Sequence, residues 1–294
     1  DQEDQFAHAL DNFSRKIWRQ PRSRRLARYD LAILHDPQEQ LPPSNAKALE
    51  NFVRVGKGLG IDVELIERKD YARLAEYDAL LIRETTSVDN HTYRFAKKAE
   101  SEGLVVMDDP ASILRCTNKV YLTDLLNSHQ LGMPATEILY KERPEDFERV
   151  GERLGFPLVL KIPDGCFSRG VIKVESQEAL LKATAELFEH SVLLLAQEFF
   201  YTEYDWRIGV LNRKPIFACQ YFMSKGHWQI YNHKAIGQDI NGECRTLAVH
   251  EAPKAVVELA VKTANLIGDG LYGVDLKQSG DKVVVIEEIG RAHV

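Results

Sequence analysis

Between Tyr29 and Met107 short apolar runs alternate with segments of helical spacing, and this alternation constrains the fold more than any other feature. LAIL, DVELIE, ALLIR and LVVM each have the composition of a buried strand. After LAIL comes the turn-rich HDPQEQLPPSN. A segment with Leu49, Phe52, Val53, Gly56 and Leu59 at helical spacing follows, with Ser44 placed to cap it. TYRFAKKAESEG supplies a second helix before LVVM. Strands that alternate with helices need crossover connections, and therefore a parallel sheet. No GxGxxG follows the first strand and no GxxxxGKS/T occurs, which removes the dinucleotide fingerprint and the P-loop.

After DDPASILRC the pattern changes. NKVYLTDLLNSHQLG reads as a helix closed by Gly132, ATEILY as a strand and PEDFERVGERLG as a helix. PLVLKIPDGCFSRGVIKVES reads as two strands joined by a glycine-bearing loop. The helix QEALLKATAELFEH and the strand VLLLAQEFF follow. WRIGVL, PIFACQYF and WQIY read as antiparallel strands, and APKAVVELAVKTANLIG as a helix leading into a closing hairpin, LYGVDLK and KVVVIEE around Gly280.

The 294 residues suffice for two domains, and the net charge of −6 argues against a general nucleic-acid binder. No apolar run approaches the ~20 residues of a membrane helix. Cys116, Cys166, Cys219 and Cys244 are widely spaced with no CxxC pair, so zinc and a disulfide framework are not expected. Free thiols suit the cytoplasm. The chain begins at Asp1, which reads as a fragment without its own N-terminus. The run Arg15, Lys16, Arg19, Arg22, Arg24, Arg25 and Arg28 is either a phosphate-binding arm or a solvated linker broken by Pro21. Trp18 alone is a thin stacking platform, which favours the linker.

Several residues stand where chemistry could use them. Lys161 closes a strand, and Gly165, Ser168, Arg169 and Gly170 form a loop able to approach phosphate oxygens, or simply a hairpin. Lys119 opens a helix and is otherwise a surface lysine. Gln197, Glu198 and Phe199 end a buried strand that can offer backbone groups to an adenine edge, or only core packing. Asp205 and Arg207 share one strand face, as an ion pair or facing a charged ligand. Asp275 and Glu287 sit in apolar strands, where a carboxylate needs neutralising. They suit Mg2+, or form a structural salt bridge.

The order of these features decides among the readings. The phrases ILHDPQEQLPPSN, RETTSVDNHTYRFAKKAE, DDPASILRCTNKVYL, VLKIPDGCFSRGV, AQEFFYTEYDWRIGVL, CQYFMSKGHWQIYNH and LIGDGLYGVDLK resemble the ATP-grasp superfamily. Within it they resemble RimK-like carboxylate–amine ligases that carry an N-terminal RimK-like ATP-grasp-associated domain. The resemblance implies a mixed α/β and α+β fold. Residues 1–28 would be the tail of an upstream domain with its basic linker, 29–115 a parallel pre-ATP-grasp domain, and 116–288 a two-lobed ATP-grasp domain, incomplete at its C-terminus.

The implied reaction joins a carboxylate to an amine of an amino acid or peptide, of the glutamate type, through an acyl-phosphate. ATP and Mg2+ (or Mn2+) are the implied cofactors. Lys119 and Lys161 would contact phosphates, with Ser168, Arg169 and Gly170 closing over them. Gln197, Glu198 and Phe199 would form the adenine hinge, and Glu203 or Asp205 would reach the ribose. Asp275 and Glu287 would bind the metal, and Arg207 would face the transferred phosphate. His227, Tyr231, Asn232 and His233 are candidates for the acceptor pocket, and Arg245 has no assigned role. Self-association is left open. A silent nucleotide-binding regulatory module and a small-molecule kinase remain as alternatives.

After VIE the family pattern runs V-N-D-N-P, whose Asn is a third metal ligand, whereas this chain has EIGRAHV. The codons GAG ATC GGA AGA GCA CAC GTC encode those residues and match a common sequencing adapter. Residues 289–294 are therefore expected to be read-through, the alternative being a genuine divergent tail, and the chain as written is expected to be weakly active or inactive.

Overall fold

Parallel pairing of four short apolar strands builds the first sheet. In the computed structural model, which describes residues 27–40, 42–163, 170–230 and 242–289, strands β1 (Tyr29–Leu34), β2 (Ile61–Ile66), β3 (Ala79–Ile82) and β4 (Val105–Met107) are all parallel, in the order β2-β1-β3-β4. Helices α1 (Ala46–Gly58) and α2 (His91–Ser101) make two of the crossovers, and a 3-10 helix, Arg68–Glu76, makes the third. Ala32, Leu34, Leu80 and Ile82 meet Phe95 and Ala96 in the core beneath them. Asn45, not Ser44, caps α1, its side chain accepting from the Ala48 N–H. Ser44 is buried and accepts a 2.8 Å hydrogen bond from Arg83, a fully buried cation that also donates to the Pro43 carbonyl. A buried guanidinium needs acceptors more than the helix needs that particular cap.

Helix α3 (Pro110–Cys116) links this sheet to the rest of the chain. Its Ser112 hydroxyl lies 2.7 Å from that of Tyr272, and its Arg115 hydrogen-bonds the Ile267 carbonyl. Helix α4 (Lys119–Ser128) follows and stops at Ser128, short of Gly132.

The remaining chain forms two antiparallel sheets. The four-stranded sheet β5-β8-β6-β7 comprises β5 (Thr136–Tyr140), β6 (Leu158–Lys161), β7 (Val171–Val174) and β8 (Leu193–Glu198). Its helices, α5 (Pro144–Leu154) and α6 (Gln177–Leu187), bury Phe147, Val150, Leu180 and Leu187 against Leu158, Leu160 and Leu194. The five-stranded sheet β11-β10-β9-β12-β13 comprises β9 (Tyr204–Leu211), β10 (Lys214–Phe222), β11 (Cys244–Leu247), β12 (Leu271–Ser279) and β13 (Lys282–Ile289). Strand β11 was not legible in the sequence. Trp228–Ile230 of the expected strand WQIY are in bends rather than a strand, and Tyr231 lies outside the described residues.

Alternation assigns this sheet's faces. Trp206, Ile208, Val210, Ala218, Tyr272, Val274 and Leu276 pack against Leu122 and Leu126 of α4 and against Val256 and Ala260 of α7 (Lys254–Ile267). Their neighbours Asp205, Arg207, Cys219, Tyr221, Asp275 and Lys277 must therefore share the other face. Among the described residues no helix is long and apolar enough to cross a membrane.

Candidate active site

Two lysines reach the cleft from different elements. Lys119 is the first residue of α4, and the Asn118 side chain fixes that position by accepting from the N–H groups of Val120 and Tyr121. Lys161 ends β6 and is buried, its ammonium donating at 2.8 Å to Gln197 Oε1. Gln197 in turn donates to the Thr136 hydroxyl at 2.9 Å. Burial lowers the Lys161 pKa from 10.5 to about 8; Glu287 and Asp205 oppose the shift, while Lys119 and Lys277 add to it. Lys119, Thr123, Met133, Lys161, Gln197 and Ile286 line a cleft of about 300 Å³, part of it open to solvent, where the two antiparallel sheets meet.

The five-stranded sheet meets these lysines with alternating charge. Arg207 and Asp275 are register partners on β9 and β12, joined by two hydrogen bonds of 2.6 and 2.7 Å. Both are buried. Burial raises the Asp275 pKa against the pull of Arg207. Asp205 and Arg207 share a face, as expected, but do not pair with each other. Asp205 accepts from Lys277 at 2.5 Å and from the Thr202 hydroxyl at 3.0 Å. Lys277 also donates to Thr202 at 2.8 Å.

A bulge sets the last carboxylate. Leu276 pairs with Val285 but Asp275 pairs with Glu287, so Ile286 is the extra residue and Glu287 is turned to the position opposite Asp275. Glu287 lies 3.0 Å from Lys119 across the cleft. Burial works to raise its pKa, but Lys119 and Lys161 outweigh that and hold it below the usual carboxylate range.

Asp205, Asp275 and Glu287 are thus gathered with Lys119, Lys161, Arg207 and Lys277, leaving an excess of one positive charge. A half-enclosed site with excess cation attracts phosphate. For Mg2+ the donor set fits. Asp275 and Glu287 are facing hard oxygen donors. Among the described residues no group of three or more His, Cys, Asp or Glu could hold a metal unaided. Mg2+ suits such a place, because it takes one or two carboxylates and completes its shell with water and phosphate.

Other expected residues fall differently. Gln197 is buried and acts on Lys161 and Thr136. At the hinge the N–H groups of Glu198 and Phe199 donate to the Ala135 and Pro157 carbonyls, so those two donors are engaged within the protein. The Phe199 ring packs edge-on to Trp228, with the Lys173 ammonium 4.6 Å from its centroid. Glu203 is exposed and stands apart from the charged cluster, which takes Asp205. Gly170 has φ +67° and a Cβ there would meet Ile162 at 2.8 Å, so the return into β7 requires glycine. His227 Nδ1 accepts from the Gln229 N–H. Arg245 alternates with Cys244 and Thr246 and so belongs to the opposite face of β11 from Tyr221. Gly165, Cys166, Ser168, Arg169, Tyr231, Asn232, His233 and 290–294 lie outside the described residues.

Sequence reasoning missed Lys277 and Tyr221. The signal for Lys277 was present: it follows Asp275 by two, the same spacing that placed Arg207 beside Asp205.

A family model described as the D-ala D-ala ligase C-terminus matches residues 130–292. The chain belongs to this family of ATP-grasp ligases. The α-aminoadipate–LysW ligase LysX of Saccharolobus solfataricus is 24% identical over 259 residues, 82% of this chain and 86% of that protein. A probable α-L-glutamate ligase of Vibrio vulnificus is 25% identical over 217 residues, covering 73% and 68%. A RimK domain ATP-grasp protein from Sphaerobacter thermophilus superposes with a TM-score of 0.65 at 19% identity, covering 88% of this chain and 90% of that one. The D-alanine–D-alanine ligase of Bacillus anthracis complexed with ATP superposes with 0.66 at 15% identity, covering 88% and 85%. The ligase is accordingly an enzyme of the carbon–nitrogen bond-forming class, joining a carboxylate to an amine at the expense of ATP.

Proposed function

We propose that this ligase activates the carboxylate of an amino acid or peptide in the cleft between its two antiparallel sheets and transfers the acyl group to an amine. The observation that carries this reading is the convergence of Lys119, Lys161, Arg207 and Lys277 on Asp205, Asp275 and Glu287. LysX is named for aminoadipate and the Vibrio relative for glutamate, so an acidic amino acid is the proposed substrate class.

A carboxylate resists an amine because it is a poor electrophile with a poor leaving group. In the first step a carboxylate oxygen bonds to the terminal phosphorus of ATP, and the P–O bond to ADP breaks with its electron pair leaving on ADP. Lys119 and Lys161 hold the phosphate oxygens, and Arg207 faces the phosphoryl group in transfer. Asp275 and Glu287 would hold Mg2+, which when bound offsets charge on the phosphates. In the second step the amine nitrogen bonds to the carbonyl carbon, phosphate leaves with the C–O electron pair, and the proton lost by the amine passes to the departing phosphate. Asp205, held by Lys277 and Thr202, would accept from the ribose.

The test is ADP and phosphate release with glutamate or aminoadipate and peptide amines, singly and together. Release that needs both substrates, with an amide of the expected mass, supports the proposal. ADP release indifferent to the amine would make the protein a kinase, and no release with retained nucleotide binding would make it a regulatory module.

A further inference from the structure

The cleft face of the five-stranded sheet continues beyond Arg207. Ala218 goes to the core, so its neighbour Cys219 and, two residues on, Tyr221 share the cleft face. Their register partners on β9 are Arg207 and Asp205. On β11, Thr246 stands opposite Cys219 and Cys244 opposite Tyr221. This floor is uncharged, with the Cys219 sulfur 3.6 Å from the Thr246 hydroxyl. The Arg207 guanidinium carbon lies 4.7 Å from the centroid of the Tyr221 ring. Among the described residues the Tyr221 hydroxyl makes no hydrogen bond, in contrast to the buried Tyr272, whose hydroxyl meets both Ser112 and Gly270. Tyr221 thus brings an uncommitted donor to the edge of the charged cluster, on the side away from Glu287.

We propose that Tyr221 is a catalytic residue whose hydroxyl donates a hydrogen bond to the reacting carboxylate, and then to the carbonyl oxygen of the acyl-phosphate as the amine adds. This assignment rests on the ligase reading above. The acyl group has to lie against the phosphoryl group that Arg207 faces, and the ring stacked on Arg207 is the next side chain along the floor. A carboxylate brought there needs a donor for the oxygen that does not attack. That same oxygen gains negative charge when the amine bonds to carbon, before the C–O bond to phosphate breaks. A neutral phenol serves both moments without giving up its proton. Burial raises the Tyr221 pKa above its ordinary value, against the influence of Arg207, so the hydroxyl stays protonated across the working range. Stacking on the guanidinium fixes the ring, so the donor needs little reorganisation as charge develops.

The test is Tyr221→Phe, which keeps the ring over Arg207 and removes only the donor. Steady-state ADP release at saturating carboxylate and amine should fall by about 100-fold or more, the usual effect of deleting one oxyanion donor. ATP affinity by calorimetry and the thermal midpoint should match wild type, since neither the lysines nor the core is touched. Wild-type turnover in Tyr221→Phe would overturn the assignment, leaving the ring as packing for Arg207. A loss of turnover matched by an equal loss of ATP affinity would also overturn it, because the hydroxyl would then be acting on the nucleotide. A wild-type enzyme that splits ATP with no response to carboxylate would overturn the ligase reading, and this assignment with it; a responsive wild type equalled by Tyr221→Phe overturns this assignment alone.

Discussion

Raising the pH through 8 should weaken ATP binding, and Lys161 is the cause. The drop of its pKa from 10.5 to about 8 corresponds to ~3 kcal/mol of desolvation that its neighbours leave unrelieved. A bound phosphate supplies the missing anion, so the pKa in the complex lies above that of the free site. The sign follows from linkage. Below 8 the lysine is charged with or without nucleotide, and its contribution to affinity is fully present. Between the free and bound values a proton must be taken up on binding, so affinity falls as the pH rises. From pH 7 to 9 the charged fraction of a group titrating at about 8 drops roughly tenfold, and the ATP dissociation constant should rise by about the same factor. With saturating Mg2+ the terminal phosphate of the nucleotide is already ionised and is silent in this window. The assay is calorimetry at fixed ionic strength and saturating Mg2+. Lys161→Arg, which stays charged, should flatten the profile. A flat wild-type profile, or the same decline in Lys161→Arg, would refute the assignment of Lys161 to the phosphates.

Further expectations concern neighbouring groups. Asn118→Ala removes the cap that accepts from Val120 and Tyr121; it should cost about 1 kcal/mol by chemical denaturation and raise the KM for ATP, because Lys119 rides on that first turn. Glu287→Gln should raise the Mg2+ concentration needed for half-maximal turnover, since a neutral amide is a poorer ligand for a hard cation; an unchanged Mg2+ titration would assign Glu287 to its Lys119 ion pair alone. Asp275→Asn leaves the Arg207 guanidinium buried without its carboxylate, and should lower unfolding stability by about 3–5 kcal/mol as well as raise the Mg2+ concentration needed for half-maximal turnover.

What the sequence made legible was local. The strand–helix alternation from Tyr29 to Met107 encodes a parallel sheet because each apolar run is short and each connection is helical, and the sheet is parallel throughout. Asp275 and Glu287 stood out because a carboxylate among apolar strand residues needs a partner, and each has one, Arg207 and Lys119. Which partner each takes was not legible, because it depends on register across β9, β12 and β13 and on a bulge at Ile286 that no local pattern announces. Ser44 was misplaced for the same reason: its claimant, Arg83, is 39 residues away. Strand β11 has only four residues, largely exposed, and so lacks the alternation that marks a half-buried strand. The hydrogen bond of Gln197 to Lys161 was not legible, because that lysine comes from the neighbouring strand.

The central claim is that ATP activates a carboxylate in this cleft by passing its terminal phosphoryl group to it. The most direct measurement uses a substrate with heavy oxygen in its carboxylate, turned over with ATP and amine, followed by mass analysis of the released phosphate. The account predicts that each amide formed leaves one carboxylate oxygen in inorganic phosphate, in equal amounts. Amide formation with unlabelled phosphate would contradict it, because the carboxylate oxygen would then never have been bonded to phosphorus.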